Sequence, residues 1–220
     1  MRVVLMGPPG VGKGTQAESL QGLLGVPHIS TGNILRAAIR DDGSPLGKEA
    51  RKFVESGRLV PDELMGDLIA KRLEERDAAQ GFILDGFPRT VEQVSILGRV
   101  LGHLGLKLDK VLMLVVPETE IVRRLSGRRT CPSCGSVFHL DSKPPAVPGV
   151  CDACGSALAQ RPDDREQVIR ERMTVYTNQT VPVAQAYRTQ GILAEIDGVG
   201  DIDDVGSRLR SALPTSPRLR

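Results

Sequence analysis

This chain of 220 residues has no tryptophan, and aromatic residues make up only 3% of it. Platforms that stack single-stranded nucleic acid need more rings than that. It also lacks a charge excess: 29 basic residues stand against 27 acidic ones, a net charge of +2, and the two signs are interspersed. A dedicated DNA-binding surface carries a clearer basic surplus. No run of about 18 apolar residues occurs, so a membrane-spanning helix is not expected. The first apolar run begins at once, with no charged leader and cleavage site before it, so the expected compartment is the cytoplasm. Cysteines are scarce. In that compartment the four present are better metal ligands than disulfide partners. There is no internal repeat, and the length suits one substantial core with room for insertions.

Glycine, by contrast, is concentrated where it can do chemistry. Gly7-Pro8-Pro9-Gly10-Val11-Gly12-Lys13-Gly14-Thr15 follows the apolar run Val3-Val4-Leu5-Met6 and precedes Ala17, Leu20 and Leu24, which are spaced for a helix. Strand, glycine loop and helix form the setting of a phosphate-binding loop. Glycines let main-chain N–H groups approach phosphate oxygens, and the helix N-terminus favours negative charge. Lys13 can then reach the outer phosphates as a compact cation. The hydroxyl that usually follows the lysine comes one place late, at Thr15, after Gly14.

Five apolar runs read as buried parallel strands joined by amphipathic crossovers: 2–6, 26–29, 81–84, 111–116 and 192–196. Leu46, Ala50, Phe53 and Val54 share one helical face, as do Val205, Leu209 and Leu213. Pro182 predicts a kink or break in a helical stretch over 164–188. Two regions interrupt the alternation, 30–60 and 127–164, and the second reads as a small inserted domain. The tail 214–220 reads as poorly ordered.

Cys131, Cys134, Cys151 and Cys154 form two C-x2-C pairs separated by sixteen residues, each followed by glycine. Such knuckles place four thiolates around one tetrahedral ion, zinc or iron, in a closed structural site. Redox dithiols or two disulfides are the alternatives. His139 is a spare ligand beside a set that is already complete.

Asp85 ends the run Phe82-Ile83-Leu84, so its carboxylate falls at a strand's C-terminal end, where ligand crevices lie. Beside a phosphate loop it can hold Mg²⁺ through water. Gly86-Phe87-Pro88-Arg89 adds a tight turn and a cation. Arginine recurs at 36, 128, 129, 161 and 172, and several guanidiniums converging on one crevice would suit polyphosphate.

With these motifs the chain resembles the bacterial adenylate kinase family, in its long form with a zinc-binding lid. The similarity runs from Met1 to about Leu213 through the loop 7–15, Ser30-Thr31-Gly32, Leu35-Arg36, Asp85-Gly86-Phe87-Pro88-Arg89 with Gln93, and Gly127-Arg128-Arg129. The resemblance implies an α/β phosphate-loop fold with a five-stranded parallel sheet flanked by helices. It implies a core (1–29, 61–126, 165–213), an AMP-binding insertion (30–60) and a zinc-ribbon lid (127–164). The implied reaction is Mg²⁺-dependent, ATP + AMP ⇌ 2 ADP. Nothing in the sequence demands an oligomer, so a monomer is expected, with ATP, AMP and ADP as its partners and no nucleic acid or membrane.

By the same resemblance Gly10, Gly12, Lys13, Gly14, Thr15, Arg124, Arg128 and Phe138 bind ATP. Thr31, Arg36, Val60, Gly86, Arg89, Gln93, Arg161 and Arg172 bind AMP. Lys13, Asp85, Arg89, Arg128, Arg161 and Arg172 carry the chemistry, Asp163 joins the lid network, and Phe87-Pro88 is a cis peptide. Gly14-Thr15 is normal in this family. Asn33 stands where many members have aspartate, which puts a water-mediated metal role there in doubt. Other readings remain open at this stage: a kinase of UMP or CMP, a hydrolysing switch of the phosphate-loop class, or a zinc-ribbon protein that binds nucleic acid.

Overall fold

The computed structural model describes residues 1–41 and 43–214; of the tail, all but Pro214 lies outside the described residues. The strands are β1 (Arg2–Met6), β2 (His28–Ser30), β3 (Phe82–Asp85), β4 (Lys110–Val115), β5 (Arg128–Thr130), β6 (Val137–His139) and β7 (Leu193–Asp197). The helices are α1 (Lys13–Leu24), α2 (Thr31–Arg40), α3 (Pro45–Glu55), α4 (Asp62–Leu73), α5 (Val91–His103), α6 (Glu118–Gly127), α7 (Glu166–Val175), α8 (Val181–Thr189) and α9 (Ile202–Ser211).

The main sheet has the order β2-β3-β1-β4-β7, and every pairing in it is parallel. Both of its faces are covered, which is why the central strands β1, β3 and β4 read as continuous apolar runs. Val3 and Leu5 turn to the face covered by α1 and α9, with Leu20, Val205 and Leu209. Val4 and Met6 turn to the other face, toward α4, α5 and α8, with Ile69, Leu97 and Val183. This alternation is the period of two that a strand imposes. The strand expected at 26–29 begins two residues later, after Pro27, whose carbonyl accepts a hydrogen bond from Ile83 N at 2.9 Å.

The two irregular regions take distinct forms. Within 30–60 the chain makes a helical pair. Ser30 and Ser44 cap α2 and α3, each accepting from a main-chain N–H three residues on. At Gly47 an added Cβ would stand 2.0 Å from Ala38 O, so only glycine permits this approach of α3 to α2. Within 127–164, β5 and β6 form a separate antiparallel pair around a small core of Cys131, Phe138 and Cys151.

Pro182 does not break the helix where it stands. It occupies the first turn of α8, where its missing N–H costs nothing. The irregularity lies just before it, in a π-helical turn over Tyr176–Thr180. That wider turn sets Thr180 Oγ1 to donate to Arg89 O at 3.0 Å.

Candidate active site

The C-terminal ends of β1, β2 and β3 converge on one crevice. β1 runs into the glycine loop, where Gly7, Gly10 and Gly12 have φ of 137°, 78° and 102°, values that L side chains rarely adopt. Added side chains would also strike Leu114 O at Gly7 and Leu125 at Gly10, so the loop is held tight to the sheet. Lys13 Nζ donates to Gly7 O at 2.8 Å and Pro8 O at 2.9 Å, folded over the loop it follows. Burial, helped by Arg89, Arg172 and Arg128, lowers its pKa to about 8 against the opposing pull of Asp85.

Asp85 faces Lys13 across the crevice. Burial pushes its carboxyl up, but His28, Lys13 and Arg89 more than offset this and hold it below its ordinary range. His28 Nε2 stands 3.5 Å from Asp85 Oδ2, which is ion-pair distance without a hydrogen bond. After Asp85 the chain turns at Gly86 (φ 86°) into the cis Phe87-Pro88 peptide. Arg89 Nε donates back to Gly86 O at 2.8 Å, and Thr31 Oγ1 donates to Asp85 O at 3.2 Å.

The inserted segment supplies two more guanidiniums from above. Arg128 forks onto Asp164, donating from Nε at 2.7 Å and from Nη2 at 2.5 Å. Arg161 Nε donates to Thr130 Oγ1 at 2.8 Å. Arg172, on α7, binds Asp163. Burial, with Arg128 among the neighbours that repel the cation, lowers Arg161 to about 9 and Arg172 to about 10. These groups stay cationic at neutral pH, in a crevice that strains to hold them until an anion arrives.

Two cavities result. The larger, about 600 Å³, is lined by all eight residues expected to bind ATP, from Gly10 to Phe138. Arg124 fixes one wall: it donates to Val11 O and Gly198 O at 3.0 Å each and to Glu120 at 2.6 Å. The smaller, about 70 Å³, is lined by Thr31, Arg36, Val60, Gly86, Arg89, Gln93 and Arg172. Arg161, expected with that group, lines only the larger cavity. Arg36, Gly86, Arg89 and Arg172 line both, so the two cavities meet at a ring of cations. Gln93 is spoken for: its Oε1 accepts from Arg89 N at 2.8 Å and its Nε2 donates to Asp62 at 2.7 Å.

Sequence reasoning missed His28, Asp62, Asp164 and the loop Gly198–Ile202 that lines the larger cavity. Asp164 had a visible signal in the pair Asp163-Asp164 between arginines. His28 and the 198–202 loop had none, because only the folded sheet brings them to the crevice, and Asp62 acts at one remove, accepting from Gln93 and Thr90.

The four cysteines are free thiols whose sulfurs all lie within 4.8 Å of one another. The closest pairs, Cys131–Cys154 at 3.4 Å and Cys134–Cys151 at 3.5 Å, are too long for disulfides. A tetrahedral zinc with Zn–S of about 2.3 Å requires sulfurs about 3.8 Å apart, so the donor set fits. The two knuckles match: Gly135 N donates to Cys131 O at 3.0 Å and Gly155 N to Cys151 O at 2.8 Å. His139 lies apart, its Nδ1 accepting from Asp141 N and Ser142 N.

A parallel α/β sheet with a phosphate loop on its central strand, and two cation-lined cavities meeting at its edge, defines a nucleotide phosphotransferase of the phosphate-loop class. The family model for adenylate kinase matches residues 5–192. The adenylate kinase of Acidothermus cellulolyticus is 50% identical over 97% of this chain and 98% of its own length. Those of Citrifermentans bemidjiense and Syntrophobacter fumaroxidans are 47% and 46% identical over the same share of this chain and 99% and 100% of their own. The chain belongs to the adenylate kinase family. The pyrimidine-kinase, switch and nucleic-acid readings lose their ground to that result. Among the described residues no helix is long and apolar enough to cross a membrane.

Proposed function

We propose that the chain transfers a phosphoryl group from ATP, held in the larger cavity, to AMP, held in the smaller one, giving two ADP. The observation that carries this reading is the sharing of Arg36, Arg89 and Arg172 between the two cavities. A donor and an acceptor seated there meet end to end at those guanidiniums.

An attacking AMP phosphate is already anionic near neutral pH, so no general base is required. The protein's task reduces to alignment and charge neutralisation. The glycine loop and Lys13 hold the β- and γ-phosphates of the donor. Arg89 and Arg36 hold the acceptor's phosphate. Arg128, Arg161 and Arg172 close on the group in flight, and guanidinium forks suit its equatorial oxygens. Mg²⁺, which the family uses with ATP, would neutralise donor phosphate charge, with Asp85 holding its water shell and Thr15 beside it. Segment 127–164 acts as a lid that excludes water, which would otherwise accept the phosphoryl group. Segment 30–60 acts as the AMP arm. Zinc on the four thiolates supplies folding energy to a lid whose own core is small, away from the reacting atoms.

The test is stoichiometry. With MgATP and AMP, ADP should appear at twice the rate of ATP loss, with no inorganic phosphate. With MgATP alone, phosphate release should be negligible. Release of phosphate that is independent of AMP would overturn the reading.

A further inference from the structure

The cations of the crevice fall into two groups according to what holds them. Arg128 and Arg172 are ion-paired with Asp164 and Asp163. Lys13, Arg89, Arg161 and Arg36 make no ion pair among the described residues; each is held by a neutral acceptor. Lys13 and Arg89 use main-chain carbonyls, Arg161 uses the Thr130 hydroxyl, and Arg36 uses the side-chain amide of Asn33. The distinction is electrostatic. A carboxylate orients a guanidinium but also compensates its charge, so an incoming phosphate must share or displace it. A neutral oxygen orients the cation and leaves its charge for the ligand.

Arg36 is fixed from two sides. Its Nη2 donates to Asn33 Oδ1 at 2.6 Å, one helical turn back. Its guanidinium lies on the bare face of Gly32, where an added Cβ would stand 3.1 Å from both terminal nitrogens. Asn33 is exposed and lies in the first turn of α2, its N–H given to the Ser30 cap. A negative charge at that position would be welcome to the helix, because helix N-termini favour anions. Local stability therefore gives no reason for an amide here. Arg36 does.

Resting on the acceptor-site reading above, we propose that Asn33 is a positioning residue for the acceptor's phosphate: it holds Arg36 over Gly32 without neutralising it. The inference makes stability and binding move in opposite directions. Asn33→Asp keeps an acceptor at the same reach and adds a favourable charge to the helix, yet it pairs Arg36 off.

The experiment is calorimetric titration of AMP alone, with chelator present so that no metal effect enters, on wild type, Asn33→Asp and Asn33→Ala. Both variants should bind AMP about three- to tenfold more weakly, the size expected for losing one hydrogen bond of ordinary net strength at an exposed side chain. The KM for AMP should rise in step, and the KM for ATP should not. The melting temperature of ligand-free Asn33→Asp should equal or exceed that of wild type. Asn33→Asp binding AMP as tightly as wild type would overturn the proposal. Weaker binding matched by a lowered melting temperature would also overturn it, by showing a structural effect only. Wild type failing to bind AMP would overturn the acceptor-site reading, and this inference with it.

Discussion

Arg172 Nη1 donates at 2.9 Å to both the main-chain carbonyl and the carboxylate of Asp163. That single nitrogen ties α7 to the end of the 127–164 segment, where Asp163 lies. Burial pushes the Asp163 carboxyl up, but Arg172, Arg128, Arg36 and Arg161 together more than offset this and hold it below its ordinary range. Its contribution to stability is therefore present above the ordinary carboxylate pKa and is lost as pH falls through the lowered one.

Beside it, the Asp164 side chain is fully buried and receives the Arg128 fork. Asp164→Ala strands that guanidinium. Removing one partner of a buried pair costs about 3 kcal/mol, which for a chain of this size is a fall in Tm on the order of 10 °C. Scanning calorimetry at neutral pH checks this; an unchanged Tm would mean that the pair does not hold the end of the 127–164 segment in place.

Lys13 should set the alkaline side of the pH profile. With a pKa of about 8 in the ligand-free protein, it loses its charge as pH rises past that value. kcat/KM for MgATP should fall above pH of about 8 with one deprotonation, because that parameter reports the free enzyme. The inflection in kcat should lie higher, since bound phosphate favours the ammonium. The stability sign is opposite to the usual one. A lysine whose pKa is lowered on folding destabilises the protein below pH 8, and the penalty is relieved as pH rises toward the unfolded value of 10.5. Lys13→Met should thus lower turnover by on the order of 10²–10³ or more, while the ligand-free protein melts no lower at pH 7.

Gly86 offers a steric test of the acceptor site. An added Cβ would lie 2.5 Å from Thr31 Oγ1 and 3.0 Å from Arg89 Nη2, on a backbone with φ of 86°. Gly86→Ala should displace both groups and raise the KM for AMP by about tenfold or more, with a smaller effect on the KM for ATP. Equal effects on both would place the disturbance in the shared phosphate site instead.

Metal removal separates structure from chemistry. A chelating dye should release one zinc ion from the four-cysteine cluster of each chain, and Tm should fall as it leaves. Cys131→Ser should do the same, with activity at low temperature largely kept. Activity lost in a protein still fully folded would move the metal into the reaction.

The parallel sheet was legible because its central strands β1, β3 and β4 are buried on both faces and so read as apolar runs; Val3-Val4-Leu5-Met6 needs no partner to be recognised. The glycine loop and the cysteine knuckles were legible because their chemistry is local, set by spacings of a few residues. The pairing of Arg128 with Asp164 and of Arg172 with Asp163 was not, since nothing in the sequence says which acid an arginine will meet. The contact of His28 with Asp85 depends on β2 lying beside β3, a register that appears only in the sheet. The π-helical turn before Pro182 left no mark on composition at all; the proline drew attention to the right place for the wrong reason.

The most direct test of the account is initial-rate ADP formation from MgATP with AMP, run beside UMP, CMP and GMP. ADP should form rapidly with AMP, and turnover should be lower by orders of magnitude with the other three. Comparable turnover with a pyrimidine monophosphate would contradict the acceptor assigned to the smaller cavity, and no transfer to any of the four would contradict the meeting of donor and acceptor at Arg36, Arg89 and Arg172.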